Sequence, residues 1–377
     1  MARRCLVAYE QSYNKEEALE KVLEKINEEA EGRVPILIVF FSSNVQFYYH
    51  ASKLHEVFPQ TTVIGSSSYI CLSSEGYGPD GLVALAVFDG IDCSAGFIGD
   101  VTTYPMQHAH VVKEAAGKVA KYDDTICLEF TTALLNCEEI VLDTLRSGLK
   151  GTGINVIGSS SGMSASSIMT YVSLNGKVYN EGCVFVLIHN EIGRIKLIKE
   201  NMYQPTIVTF TVTDVDCENR MIYEIDGRNA VQFLCEKLGV RKDRLKGYLD
   251  EHPLGRIIGD DISTISVAEV DLEGGALYCE SRIFNRTRIA LMEARPDLRE
   301  VWNETKDRAG ESGEFLPAFS IVANCAIRTD YFIEHRMIDE FNDAMTDNYR
   351  CYIGTSGMGE QFVDQHFNQT MVMALFE

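Results

Sequence analysis

One short motif occurs three times in the chain, and this repetition is the strongest constraint on its fold. The hexapeptide VIGSSS occupies Val63–Ser68 and again Val156–Ser161, and a third version, YIGTSG, occupies Tyr352–Gly357. Each copy follows an apolar run of strand length and a segment with helical spacing, and each precedes another apolar run. About 28 to 35 residues separate the start of the first run from the Ile-Gly pair, which is enough for a parallel crossover. The sequence therefore predicts three βαββ units with parallel pairing inside each.

The apolar runs are continuous rather than alternating, which is typical of strands that helices cover. Gly65, Gly158 and Gly354 mark the ends of three equivalent strands. We assign the first two units to residues 1–205, and a β-rich insert with the third unit to residues 206–377. The predicted fold class is α/β, with pseudo-symmetric βαββ units forming helix-covered sheets in two closely packed halves.

The charge balance disfavours two classes of partner. The chain has 34 Lys and Arg against 55 Asp and Glu, a net charge of −21, which repels nucleic acid and anionic membrane surfaces. Its 11 cysteines are scattered without a CxxC pair, which favours buried free thiols in a reducing compartment. No apolar run reaches the roughly 20 residues of a membrane span. We therefore expect a cytoplasmic protein without membrane insertion.

Several motifs in this order resemble the FIST family of sensory domains. The series VPILIVFFSS, TTVIGSSS and GLVALAVF resembles the FIST N-terminal domain, and YEIDGRNAVQFL, HPLGR, NCAIR and GMGEQF resemble the FIST C-terminal domain. The resemblance implies a signal-transduction module that binds a small ligand, amino acids among the proposals, without catalysing a reaction. Such domains work with kinase, cyclase or chemotaxis output modules, and a related group binds haem and senses nitric oxide. Because no residues remain for an output module, we expect this chain to act on a separate kinase, cyclase or chemoreceptor.

Arg328 and Glu360 are the first candidates for ligand binding. Arg328 closely follows an apolar strand, where ligands of α/β sheets bind, and a guanidinium there could hold a carboxylate in a bidentate pair. Glu360 could meet an ammonium group, and Asn368 and Gln369 could complete the lining. An internal salt bridge or a helix-start interaction is the structural alternative.

The hydroxyl residues at the ends of the repeated strands form a second set of candidates. Small hydroxyls and free backbone N–H groups after a strand suit a polar or anionic ligand, although they could equally cap the loops themselves. We predict a pocket where Arg328 and Glu360 face one of these loops. The candidate hydroxyl residues are Ser66, Ser67, Ser159, Ser160 and Thr355.

Two alternative functions depend on weaker signals. Gly158–Gly162 satisfies the G-x-S-x-G elbow of serine hydrolases with Ser160 as nucleophile, but the following residues are predicted to form a β-hairpin rather than a helix. The sister copy has Tyr69 where this one has Gly162. A haem site needs only one histidine, and nothing in the sequence favours one of the eight. We therefore predict no catalytic residue and no metal, with haem as the alternative cofactor.

Overall fold

The apolar runs around each repeated motif form buried strands, as their composition predicts. A computed structural model describes residues 4–164, 167–259, 261–310 and 315–377. The chain forms two compact units. The larger takes in the chain up to Lys199 with Trp302–Gln365 and Met371–Glu377, and the smaller comprises Glu200–Val301 and His366–Thr370.

Strands and helices are numbered in chain order. The strands before residue 202 are β1 (Cys5–Glu10), β2 (Leu37–Ser42), β3 (Thr62–Ser67), β4 (Cys71–Ser73), β5 (Gly76–Gly78), β6 (Leu82–Val87), β7 (Ile91–Ile98), β8 (Thr125–Thr131), β9 (Asn155–Ser160), β10 (Val172–Leu174), β11 (Lys177–Tyr179), β12 (Cys183–Asn190) and β13 (Ile195–Asn201). The later strands are β14 (Tyr203–Asp216), β15 (Met221–Ile225), β16 (Arg228–Asn229), β17 (Leu254–Ile258), β18 (Asp261–Ile265), β19 (Val267–Val270), β20 (Leu277–Cys279), β21 (Arg288–Ala294), β22 (Phe319–Cys325), β23 (Tyr352–Gly357), β24 (Glu360–Val363), β25 (Gln365–Phe367) and β26 (Thr370–Phe376). The α-helices within the described residues are α1 (Lys15–Ala30), α2 (Phe47–Val57), α3 (Ala109–Ala116), α4 (Glu138–Gly148), α5 (Ala230–Leu238), α6 (Leu245–Glu251), α7 (Leu298–Gly310), α8 (Ala326–Glu334) and α9 (Ile338–Asn348).

Three sheets share one strand order. It reads β1-β6-β2-β3-β10-β11 in the first sheet, β7-β12-β8-β9-β24-β25 in the second and β13-β26-β22-β23-β4-β5 in the third. The two strands that flank the crossover helices pair in parallel in each sheet, namely β2 with β3, β8 with β9 and β22 with β23. This confirms the predicted α/β class and the parallel pairing inside each repeat.

The repeats exchange hairpins, which the sequence did not predict. Hairpin β4–β5 of the first repeat pairs with β23 in the third sheet, β10–β11 of the second repeat pairs with β3 in the first sheet, and β24 of the third repeat pairs with β9 in the second. The hairpin strands pair alongside the repeated glycines. Ser173 of β10 lies opposite Gly65 of β3, and Gln361 of β24 lies opposite Gly158 of β9. Each repeat therefore completes the sheet of another, in a closed cycle.

The three sheets bury one face against a common core. Alternate residues of the central strands, among them Val39, Leu128 and Ile321, belong to one apolar cluster drawn from all three sheets. The residues between them point to the opposite face, where Phe40 packs with residues of α1 and α2, and Val156 with residues of α3 and α4. Because both faces are covered, these strands are apolar throughout.

The compact units do not follow the predicted division into two halves. The third repeat belongs to the larger unit together with the first two, and the predicted boundary at residues 205/206 falls inside β14. The smaller unit is built on β14–β21, with its own core under α5 and α6. Asn229 caps the start of helix α5, with its Oδ1 accepting from the Gln232 N–H, and the left-handed Gly239 follows the end of the helix. Assignment of residues 206–377 to a FIST C-terminal domain stays a prediction.

Candidate functional site

The repeated strand ends meet one another at a junction inside the larger unit. The Gly162 N–H donates to the Ser67 carbonyl at 2.8 Å, which joins the second repeat to the first. The Tyr69 N–H donates to the Ser356 carbonyl at 3.0 Å, and the Ser160 N–H donates to the Gly359 carbonyl at 2.9 Å. The loops after β3, β9 and β23 are therefore linked pairwise through their backbones.

The predicted hydroxyl residues are fully buried at this junction. Ser66 Oγ donates to Ser161 Oγ at 2.9 Å, Ser159 Oγ donates to the Ser160 carbonyl at 2.9 Å, and Thr355 Oγ1 donates to Ser68 Oγ at 3.0 Å. These contacts correspond to the loop-capping alternative. Their assignment to a ligand stays a prediction.

Close packing explains the glycine that completes the hydrolase-like motif. A Cβ atom on Gly162 would lie 2.0 Å from the Ser356 carbonyl oxygen. Ser160 Oγ lies 3.4 Å from Glu138 Oε1 and accepts from Gln361 Nε2 at 3.0 Å, and residues 161–164 are not helical. The strand-turn-helix of a nucleophile elbow is therefore not formed at Ser160.

The other predicted ligand residues lie on separate elements. Arg328 is fully buried on α8, with its guanidinium carbon 5.2 Å from the ring centre of Phe332. Glu360 begins β24 and is paired with Ser159 across the second sheet. Asn368 lies in the smaller unit, where its Oδ1 accepts from Ser281 Oγ at 2.6 Å. Glu360 therefore lies directly beside the serine loop after β9, and the predicted pocket stays a prediction.

The first sheet has a polar site at its carboxyl edge that the sequence analysis missed. Residues 43–46 connect β2 to α2, and three of their side chains are at least nine-tenths buried: Ser43 is 6%, Asn44 8% and Gln46 4% exposed. Ser43 Oγ, Asn44 Oδ1 and Gln46 Oε1 have no hydrogen-bond partner among the described residues. Burying a polar atom without a partner typically costs about 1–3 kcal/mol, so three of them in one short loop require an explanation.

The orientation of the two amides is determined by their other contacts. Asn44 Nδ2 donates to the Met169 carbonyl at 2.8 Å and to Ser67 Oγ at 3.4 Å, while Gln46 Nε2 donates to the Ser12 carbonyl at 2.7 Å. Since a carbonyl only accepts, the NH₂ groups occupy these positions and the amide oxygens are left as acceptors. Of the predicted site residues, Ser67 is the one that contacts this loop. We call Ser43, Asn44, Gln46 and Ser67 the edge site.

The start of α2 places backbone N–H donors next to the edge site. Gln46 is the N-cap residue of α2, and its side chain makes no capping hydrogen bond. The first N–H groups of a helix have no partner within the helix and carry the positive end of its dipole. The edge site therefore offers hydrogen-bond acceptors, and the adjacent start of α2 offers hydrogen-bond donors.

Two of the three positions have different residues in the other sheets. Aligning the parallel pairs places Thr132 where the first sheet has Ser43, and Ala133 and Ala326 where it has Asn44. The Thr132 hydroxyl donates to the Gly182 carbonyl at 3.1 Å. At the Gln46 position the third sheet has the buried Arg328, so the first repeat is distinguished at the Ser43 and Asn44 positions. The signal was present in the sequence as the polar run SSN-x-Q directly after an apolar strand.

His50 supports the loop from the next turn of α2. Its Nδ1 lies 2.7 Å from Ser42 Oγ and its Nε2 lies 2.9 Å from the Lys15 carbonyl. Burial lowers the pKa of His50 to about 4, so the ring is neutral at pH 7. Because the Lys15 carbonyl can only accept, Nε2 carries the proton. The Ser42 hydroxyl, which is also 3.0 Å from the Gly81 carbonyl, is the hydrogen-bond neighbour of Nδ1. Both ring nitrogens are therefore engaged, and His50 does not fit the role of a haem ligand.

Exposed apolar side chains lie on the segments next to the edge site, and we call them the apolar rim. Val45 is 87% exposed and Tyr48 54% exposed at the start of α2, and Ile168 and Met169 are exposed on the loop that receives the Asn44 amide. Tyr48 makes an edge-to-face contact with Tyr171 at 5.2 Å between ring centres. A small polar interior with an apolar rim is the usual composition of a small-molecule site.

The second sheet buries an acid that the sequence analysis also missed. Glu129 is fully buried, and its Oε2 accepts from Thr131 Oγ1 at 2.7 Å and from Cys183 Sγ at 3.3 Å. Its Oε1 has no hydrogen-bond partner among the described residues. Burial raises the pKa of Glu129 to about 8; the two hydrogen bonds lower it and nearby Glu138 raises it further. Glu129 is therefore mostly protonated at pH 7.

The register of the parallel strand pairs shows which residues the sister repeats have at the position of Glu129. Glu129 lies opposite Gly158, as Phe40 lies opposite Gly65 and Val322 opposite Gly354. The sister repeats fill this position with apolar side chains. The signal in the sequence was a single acid inside the apolar run TICLEF.

The described residues contain no group of three or more His, Cys, Asp or Glu side chains that could hold a metal ion. No helix in the described part of the chain is long and apolar enough to cross a membrane. The haem alternative and the absence of enzymatic activity stay predictions.

Comparison with known proteins identifies the family of the chain. Residues 35–228 match the FIST N domain, a span that contains the first two repeats and the edge site. No curated protein matches the chain. Because the match covers more than half of the chain, this protein belongs to the FIST family of signal-transduction sensory domains.

Proposed function

We propose that this FIST protein is a non-enzymatic cytoplasmic sensor that binds an amino acid or small carboxylate at the edge site. The observation that carries the proposal is the set of three buried, unpartnered polar atoms on Ser43, Asn44 and Gln46 at the start of α2. Ligands of α/β sheets bind beyond the carboxyl ends of the strands, which is where these residues lie.

The chemistry of the edge site matches a zwitterion. The amide oxygens of Asn44 and Gln46 accept hydrogen bonds, as an ammonium group requires. The N–H groups at the start of α2 donate, and the helix dipole favours a carboxylate there. A ligand that satisfied all of these groups would remove the cost of leaving them unpaired, so its affinity would come from polar complementarity.

Ser43→Ala is the sharpest test. The Ser43 hydroxyl has no hydrogen-bond partner in the described parts of the chain, so its removal costs the unliganded fold no hydrogen bond there. Loss of one ligand hydrogen bond should weaken binding about 3- to 10-fold. The matched control is Ser320→Ala, because Ser320 is also buried and its hydroxyl is also unpartnered, but it lies in β22 of the third sheet.

The assay is a thermal-shift screen of amino acids and small carboxylates. A ligand at about 100 times its dissociation constant stabilises the folded state by roughly 2.7 kcal/mol, a rise of a few degrees in Tm for a chain of this size. We expect hits that weaken in Ser43→Ala and persist in Ser320→Ala. Hits that persist in Ser43→Ala but vanish in a folded Arg328→Ala would place the ligand at Arg328 instead. Complete absence of hits would contradict the proposed ligand class.

We further propose that the signal passes to a separate protein such as a kinase, cyclase or chemoreceptor. The family supports a sensory role, and the apolar rim of Val45, Tyr48, Ile168 and Met169 gives a ligand-sensitive surface. The measurement is the activity of a candidate output enzyme with the FIST protein, with and without a ligand from the screen. An output activity that ignores the ligand would contradict signalling through that enzyme.

A further inference from the structure

We propose that Cys5 and Cys351 form an oxidation site at which a peroxide converts the two thiols to an intramolecular disulfide. The two sulfur atoms are 3.9 Å apart although the residues are separated by 346 positions in the chain. A disulfide bond is about 2.0 Å long, so closure requires the sulfur atoms to approach by about 2 Å, a distance that rotation of the side chains can supply.

Both thiols are placed where an oxidant can reach them. Cys5 and Cys351 are half-buried, whereas six of the other cysteines are buried: Cys71, Cys127, Cys137, Cys183, Cys279 and Cys325. The pair lies at the rim of the central core, where the Cys5 thiol also donates to the Ala318 carbonyl at 3.5 Å. The site is therefore separate from the edge site, because Cys5 begins β1 and Cys351 directly precedes β23.

The bond would connect two sheets. Cys5 lies on the outermost strand of the first sheet and Cys351 precedes a central strand of the third. A covalent link between them would tie the start of the chain to the third repeat. It would also close a loop of 346 residues in the unfolded chain, and long closed loops are expected to stabilise most.

The reaction balances with hydrogen peroxide as the oxidant. One thiol loses its proton, and the thiolate attacks a peroxide oxygen, which breaks the O–O bond and gives a sulfenic acid and water. The second thiol then displaces the sulfenic oxygen as a second water, which forms the S–S bond. Two thiols are oxidised by two electrons and one peroxide is reduced to two waters. The hydrogen bond with Cys5 and burial raise the pKa of Cys351, so the rate should increase as the pH rises.

The test uses the full-length reduced protein treated with hydrogen peroxide, then alkylated and digested for mass spectrometry. We expect one linked peptide pair containing Cys5 and Cys351, about 2 Da lighter than the two free peptides and reversed by dithiothreitol. Recovery of both residues as alkylated thiols or as sulfinic acids would overturn the proposal. So would linkage of Cys5 to a different cysteine.

Three variants make the result specific. Cys5→Ser and Cys351→Ser should each abolish the linked pair, and either alone suffices if the other fails to fold. Cys93→Ser is the matched control, since Cys93 is also half-buried but its thiol contacts Thr62. Oxidation should raise the Tm of the wild type and of Cys93→Ser by a few degrees and leave Cys5→Ser unchanged. An equal shift in Cys5→Ser would refute the assignment.

Discussion

The buried acid Glu129 should make the stability of this protein depend on pH in a way that one substitution removes. The perturbation is Glu129→Gln, which keeps the size of the side chain and an oxygen that can accept from Thr131 and Cys183, but cannot ionise. The pKa of Glu129 rises from 4.5 to about 8 on folding, because burial disfavours the carboxylate.

The direction of the pH dependence follows from the difference in proton binding between the folded and unfolded states. Between pH 4.5 and about 8 the folded state holds the Glu129 proton while the unfolded state has released it. The free energy of unfolding therefore falls as the pH rises through this window and levels off above about pH 8. One pKa unit corresponds to about 1.4 kcal/mol, so a shift of about 3.5 units predicts a loss on the order of 5 kcal/mol.

Urea unfolding at pH 5, 7 and 9 measures this effect. We expect the wild type to lose about 4 kcal/mol relative to Glu129→Gln between pH 5 and pH 9, because the unfolded state has already released most of this proton at pH 5. Subtracting the two curves cancels the contributions of the other titrating groups. Glu20→Gln, at an exposed position of α1, is the control and should follow the wild type. Parallel curves for wild type and Glu129→Gln would refute the reasoning and mean that Glu129 is solvated or paired in solution.

Two further predictions concern packing and a second buried titrating group. Gly162→Ala should destabilise the fold by about 1–3 kcal/mol or more in urea unfolding, because its Cβ would lie 2.0 Å from the Ser356 carbonyl oxygen. Gly247→Ala, in α6 with nothing within 4 Å, should instead stabilise by about 0.5–1 kcal/mol, and equal effects would contradict the close-packing argument. The pKa of His50 is lowered to about 4 by burial, so stability should fall by roughly 3 kcal/mol as the pH drops from 6.5 to about 4. His50→Gln should remove this pH dependence. Parallel curves of unfolding free energy against pH for the wild type and His50→Gln would contradict the prediction.

Local pattern was sufficient to predict the elements of the fold. The continuous apolar runs indicated strands, and a crossover of sufficient length indicated parallel pairing. The predicted strand ends at Gly65, Gly158 and Gly354 were wrong, because β3, β9 and β23 continue for two or three residues beyond these glycines. The Asn175–Gly176 pair marked the β10–β11 hairpin, where both residues have positive φ. These features could be predicted from the sequence because each depends on residues that are close together in the chain.

The sequence by itself determined the three repeats, their α/β class and the family. Only the tertiary structure decided which sheet receives each hairpin, because a three-residue strand such as β4 carries no information about its partner. It also decided which polar groups are left unpaired. Ser67 and Gly162 are 95 positions apart, and Thr355 and Ser68 are 287 apart, so these hydroxyls are satisfied by contacts that no local pattern encodes. Ser43 and Glu129 stand out for the opposite reason: folding buries Ser43 Oγ and Glu129 Oε1 where no residue that the structure describes supplies a hydrogen bond.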